Sequence, residues 1–143
     1  MKFLLLLFLT IFLGKAGCGD QQRDLNNAVI EYTANTRGFY QKITIKDKSV
    51  AVSRVRDEKA PRFEKLSDSN WDELAGLLKS VDLDGLSNLK APTEKRYYDG
   101  AAMADLKITY KDSTYQSSTF DHGYPPVEIE KLINKINSFA PER

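Results

Sequence analysis

The chain of 143 residues holds a single cysteine, Cys18. A disulfide needs two cysteines, so no covalent bridge within the chain can brace the fold. The hydrophobic core has to hold it alone. The place of Cys18 matters as well. It lies in FLGKAGCGDQ, residues 12–21, just after a short apolar segment. Lys2 and the α-amine make a small positive region, residues 3–13 are apolar except for Thr10, and Gly14, Ala16 and Gly17 follow. This is the layout of a secretory signal peptide. The apolar run is too short to span a bilayer, which takes about 20 residues.

Two processing sites compete. Gly14-Lys15-Ala16 offers small residues for ordinary signal peptidase. Ala16-Gly17-Cys18 is similar to the end of a bacterial lipobox, in which Cys18 becomes the diacylglyceryl-modified first residue. Lys15 departs from that pattern, which has an aliphatic residue there. An unpaired cysteine is a liability in a secreted chain, and this favours the lipid reading. Cys18 is then a membrane anchor. Gly19 stands where an inner-membrane retention signal would have Asp, so an outer-membrane lipoprotein is expected, with a secreted or periplasmic protein as the alternative.

Removal of residues 1–17 leaves enough chain for one domain with its own core. It also removes Lys2 and Lys15, which leaves 19 basic against 20 acidic side chains. The charges interleave, as in RVRDEKAPRFEK at 54–65. Without a basic stripe, no nucleic-acid partner is expected. GDQQRDLNN at 19–27 is polar apart from Leu25 and reads as a tether. The expected division is a signal peptide at 1–17, a lipidated cysteine and tether at 18–27, and a single domain at 28–143, monomeric.

AVIEYTA at 28–34 alternates like a strand, with Ile30 and Tyr32 on one face. RGFYQKITIKDKSVAVSRVR at 37–56 reads as a hairpin turning at Lys46 to Ser49. A helix follows, capped by Ser67 or Ser69, with Trp71, Leu74, Leu77, Leu78 and Val81 in one apolar stripe and a stop at Gly85. Residues 101–110 and 114–120 form a second pair of arms about Lys111-Asp112-Ser113. Pro125 and Pro126 suit the start of a last helix, whose stripe is Ile129, Leu132, Ile133, Ile136 and Phe139. ITIKDKSVAVS (43–53) aligns without gaps on ITYKDSTYQSS (108–118), with five of 11 positions identical, which raises a ββα duplication. The expected class is α+β: a mainly antiparallel sheet of four to five strands with two helices on one face.

Few residues carry chemistry. With one histidine, His122, and one cysteine, a zinc site of Cys and His is ruled out. No P-loop, GxGxxG or GxSxG occurs. DLDGLSN at 82–88 fails as a calcium loop: Gly85 comes one residue after Asp84, and Thr93 stands where the last ligand should be Glu. No metal, cofactor or catalytic residue is expected. FDHGYPP (120–126) and KRYYDGAA (95–102) stand out, and Asp99, Asp121 and His122 would be the groups of a small hydrolase or transferase, the alternative reading. The leading reading is a non-enzymatic binding module with a protein or glycan partner, one form of which is an inhibitor of an envelope or secreted hydrolase. Tyr97, Tyr98 and Asp99 have the composition of a binding loop. Tyr40, Lys42 and Lys107, with Thr44 and Thr109, should line the sheet face turned away from the helices.

YDGAAMADLKITYKDSTYQSSTFDHGYPP, residues 98–126, resembles a pattern in small uncharacterised envelope lipoproteins and exported proteins of Bacteroidetes: DGA, a hydrophobic strand, a turn, Y-x-S-x-x-F-D-H-G and two prolines. The resemblance covers the last third of the chain. It implies an envelope location and no activity.

Cys18→Ser should abolish incorporation of a palmitate analogue in cells. Equal labelling of the variant and the native chain would remove the lipid anchor.

Overall fold

The computed structural model describes residues 24–141. The expected signal peptide at 1–17 and Cys18 lie outside the described residues. Seven strands form an open antiparallel sheet in the order β4-β3-β2-β1-β5-β6, with β7 also paired to β5. They are β1 (Ala28–Thr36), β2 (Phe39–Lys46), β3 (Ser49–Ser53), β4 (Glu64–Lys65), β5 (Met103–Tyr110), β6 (Ser113–Gln116) and β7 (Phe120–Asp121). Helices α1 (Asp68–Lys79) and α2 (Glu130–Asn137) complete the α+β fold. The sheet has more strands than the four to five expected, because β4 carries too little pattern to be seen in sequence and the expected arm at 114–120 is split into β6 and β7.

β1 is central, hydrogen-bonded to β2 on one edge and to β5 on the other. Successive strand side chains point to opposite faces, and β1 obeys this strictly: Ala28, Ile30, Tyr32 and Ala34 are buried, while the residues between them are half-buried. Ile43 and Ile45 from β2 and Ala104, Leu106 and Ile108 from β5 extend this inner face. The helices cover it. α1 is capped by Ser67, whose side chain accepts from the Asn70 N–H at 3.2 Å, and buries Trp71, Leu74 and Leu78. α2 buries Leu132, Ile133 and Ile136. These residues form one core.

Several expectations change. Leu25 is buried in the core, in a 3-10 turn at Leu25–Asn27 that Asp24 caps. The domain therefore starts before residue 28, and Leu25 belongs to it rather than to the expected tether. A lone leucine in a polar segment gives no period, so the sequence could not show its burial. α1 ends at Lys79 with Ser80 as its cap, so Gly85 does not close it. Gly85 instead precedes a second 3-10 turn, where an added Cβ would lie 2.5 Å from the Asp82 carboxylate. Val81 stays in the core although it lies beyond the helix.

Both hairpin turns have two residues at positive φ, Asp47-Lys48 and Lys111-Asp112, as two-residue hairpin loops require. The gapless alignment nonetheless overlays turns that sit one residue apart. Ile43 aligns with Ile108 and Val50 with Tyr115, yet Ile108 pairs with Tyr115 while Ile43 pairs with Val52. The two hairpins share an order but not a register.

β6 and β7 form one interrupted edge beside β5. At the interruption Ser117 takes over the ladder: its N–H donates to the Leu106 carbonyl at 2.8 Å, and its hydroxyl accepts from the Leu106 N–H at 2.9 Å. The ladder resumes at β7 with its register displaced by one residue, which sets the direction of Asp121 and His122.

Trp71 is 9% exposed beneath α1. Trp71→Ala should cost about 3–5 kcal/mol, measured by urea melts followed by far-UV circular dichroism. A loss below about 1 kcal/mol would place Trp71 on the surface.

Candidate functional site

Four segments meet at the end of the sheet where β1 finishes: the Arg37-Gly38 turn, residues 54–56 after β3, the 3-10 turn at Lys95–Tyr98, and residues 122–124 after β7. Cross-strand pairing sets Tyr40, Asn35, Met103 and Asp121 in one row across this end.

Asp121 organises one side of it. The residue is fully buried. Its carboxylate accepts from the Thr93 hydroxyl, from the Lys95 N–H at 2.7 Å, from the Arg96 N–H at 3.1 Å and from the Arg96 guanidinium at 3.0 Å. Burial alone would raise its pKa, but the bonds from Thr93 and Arg96 and the two backbone donors outweigh burial and hold it at about 2. The carboxylate thus clamps the turn before β5. The turn ends in Asp99, an exposed residue with φ 59, and it presents Tyr97 and Tyr98 at 72% and 71% exposure. Arg96 stacks on Tyr97 at 4.4 Å, and Lys95 on Tyr124 at 4.3 Å.

His122 points the other way, as alternation after Asp121 demands. Its Nδ1 lies 2.7 Å from the Tyr32 hydroxyl, and its ring packs on Tyr32 and Phe39 with centroids 5.8 and 5.7 Å apart. Burial lowers its pKa and raises that of Tyr32, so both are neutral near pH 7. His122 lines a cleft of about 370 Å3 with Phe39, Gln41, Arg54, Asn134 and Asn137. Asp99 is not among the residues of this cleft, and the Asp121 carboxylate is taken up by Arg96. The structure does not bring Asp99, Asp121 and His122 together.

The outer face carries Tyr40, Lys42, Thr44, Lys107 and Thr109, as alternation predicts. Lys42 and Lys107 both bond Glu31, at 3.0 and 3.6 Å, and the bond to Glu31 raises the pKa of Lys42. Exposed pairs of this kind contribute less than about 1 kcal/mol each. Asp105, half-buried on the same face, has its pKa raised by burial, against which the Gln116 bond acts. This face is not fully open. Residues 54–61 fold back over β3, burying Ala51 and Ser53, and the Ser53 hydroxyl bonds Glu58. Tyr40 stacks with Arg56 at 5.0 Å.

Sequence reasoning singled out Tyr97, Tyr98, Asp99 and Tyr40. It passed over Arg54, Arg56, Arg96 and Tyr124, although four of the five described arginines (Arg37, Arg54, Arg56 and Arg96) sit at this one end of the sheet. Only the folded arrangement gathers them. Among the described residues, no group of three or more His, Cys, Asp and Glu could hold a metal ion, and no helix is long and apolar enough to cross a membrane. The chain matches no family model, no curated protein and no solved structure.

The Asp121 carboxylate supplies a pH test. Its folded pKa is depressed, so its stabilisation is fully present above the unfolded value of about 3.9 and is lost as pH falls through about 2. Asp121→Asn should cost about 2–3 kcal/mol at pH 6, and the gap to the native chain should narrow as urea melts are repeated down from pH 4. A gap that stays constant with pH would show that the carboxylate charge is not what holds the turn.

Proposed function

We propose that this chain is a non-enzymatic envelope lipoprotein, anchored through Cys18, that binds a protein or glycan partner at the sheet end bearing Tyr40, Tyr97, Tyr98 and Tyr124. The observation that carries this reading is the pair Tyr97 and Tyr98. They are the most exposed aromatic side chains among the described residues, and they sit on a turn held by a buried ion pair. Large apolar side chains held rigidly in water lose little entropy on binding. Tyrosine and arginine are also the residue types that dominate interface energies, and here they are stacked in pairs.

The position of the anchor supports the same reading. Six residues separate Cys18 from the buried Leu25, and fully extended they reach about 20–25 Å. Leu25 adjoins the start of β1, while the tyrosines lie at its other end, about 30 Å away for a nine-residue strand. The lipid and the tyrosine surface would thus face opposite ways, with the surface turned from the membrane. A hydrolase inhibitor is one form such a module takes. The location follows the resemblance to Bacteroidetes envelope lipoproteins.

A photo-crosslinking amino acid in place of Tyr98 should give a discrete adduct in intact cells, and Tyr97→Ala should reduce its yield at least fivefold. The same probe at Val127, which is exposed to a similar degree, is the control. Equal, diffuse labelling at both positions would overturn the reading.

A further inference from the structure

We propose that the cleft between the start of β2 and the end of α2 binds a small organic carboxylate of about monosaccharide size. In this site Arg54 takes the carboxylate, His122 Nε2 takes a neighbouring oxygen, and Phe39 supports the carbon skeleton. The proposal is independent of the tyrosine surface, since Tyr97, Tyr98 and Tyr124 do not line this cleft.

Charge is the first argument. Among the described residues, no Asp or Glu lines the cleft. Arg54 is half-buried at its edge, and among the described residues it makes no ion pair. One of its nitrogens donates to the Pro141 carbonyl at 2.6 Å. A guanidinium has five N–H donors in a planar fork matched to a carboxylate, so this bond orients the group and leaves donors over. An anionic ligand would give the guanidinium the counter-charge that no acidic side chain among the described residues supplies. Arg54 and Phe39 also border a second cleft of about 410 Å3 on their other side, so the guanidinium is open to solutes from both.

The second argument is the donor set. His122 Nδ1 is occupied by Tyr32. In the tautomer in which the Tyr32 hydroxyl donates to Nδ1, the neutral ring carries its proton on Nε2, and that nitrogen is the group offered to the ligand. Gln41 and Asn137 hold each other through a bond of 3.4 Å, and Asn137 is fixed by donating to the Ile133 carbonyl at 3.1 Å. Asn137 also bonds the Tyr32 hydroxyl, so the exposed Asn134 is the amide best placed for hydroxyl or amide groups on a ligand. The volume of about 370 Å3 equals roughly a dozen waters at about 30 Å3 each, the size of one sugar ring or a dipeptide. An acidic sugar and a peptide C-terminus share this chemistry.

The test uses the purified full chain and two matched pairs of probes: glucuronate against glucose, and N-acetyl-Ala-Ala against its amide. His122 is the only histidine, so its Cε1–H resonance reports the site without assignment. Saturable shifts are expected with at least one acid, at an affinity at least tenfold tighter than for its neutral partner. The acid that binds identifies the source. Arg54→Gln should weaken that binding at least tenfold, and Arg54→Lys should weaken it less. Should Arg54→Gln fail to fold by Trp71 fluorescence, the acid-against-neutral comparison on the native chain decides. Equal binding of acid and neutral probes, no shift with either acid, or native affinity in a folded Arg54→Gln overturns the proposal.

Discussion

Every other strand takes its position from β1. It is bonded along both edges, to β2 and to β5, and its inward residues Ala28, Ile30, Tyr32 and Ala34 lie at the centre of the core. A shift of one residue in its register would turn all of them to solvent. With no disulfide available, that apolar penalty is what fixes the register. The alternation then determines the outer set too, from Glu31 between its two lysines to Asn35 between Tyr40 and Met103.

Tyr32 also links the core to the far end of the sheet. Its ring is fully buried, while its hydroxyl reaches His122. A buried hydroxyl without a partner costs about 1–3 kcal/mol, so the bond places His122 over Phe39 and gives the cleft its floor. On the opposite side of β7, Asp121 does the same for the Lys95–Tyr98 turn. Two adjacent residues therefore orient two distinct surfaces, and the reason is the period of two in an extended chain. Removing one partner of a buried pair strands the other charge. Arg96, whose side chain is only 10% exposed, is held as firmly as the acid.

The structure has a direction. The chain enters through Leu25 at one end of the sheet, and the arginines and exposed tyrosines gather at the other. The two Lys-Asp hairpin turns lie at the entering end, with Lys48 paired to Asp68, while the stacked Tyr-Arg and Tyr-Lys pairs lie at the far end. The proposed attachment and the proposed binding surface would thus lie at opposite ends of the sheet.

The α+β class, the inner faces of β1, β2 and β5, the stripes of both helices and the two Lys-Asp turns were all legible in the residues, because each rests on a local period or a local turn preference. Burial of Trp71 followed from its place in a helical stripe. The exposure of Tyr97 and Tyr98 had no such period behind it and was reached only through composition. Folding decided what local pattern cannot contain: that Leu25 belongs to the core, that residues 54–61 cover part of the outer face, and that β7 returns to β5. It alone joined Asp121 to Arg96 across 25 residues of chain and His122 to Tyr32 across 90. Periodicity states which face a side chain occupies. Which neighbour it meets there depends on strand order and on where an edge strand breaks, and those are set by closure of the whole core.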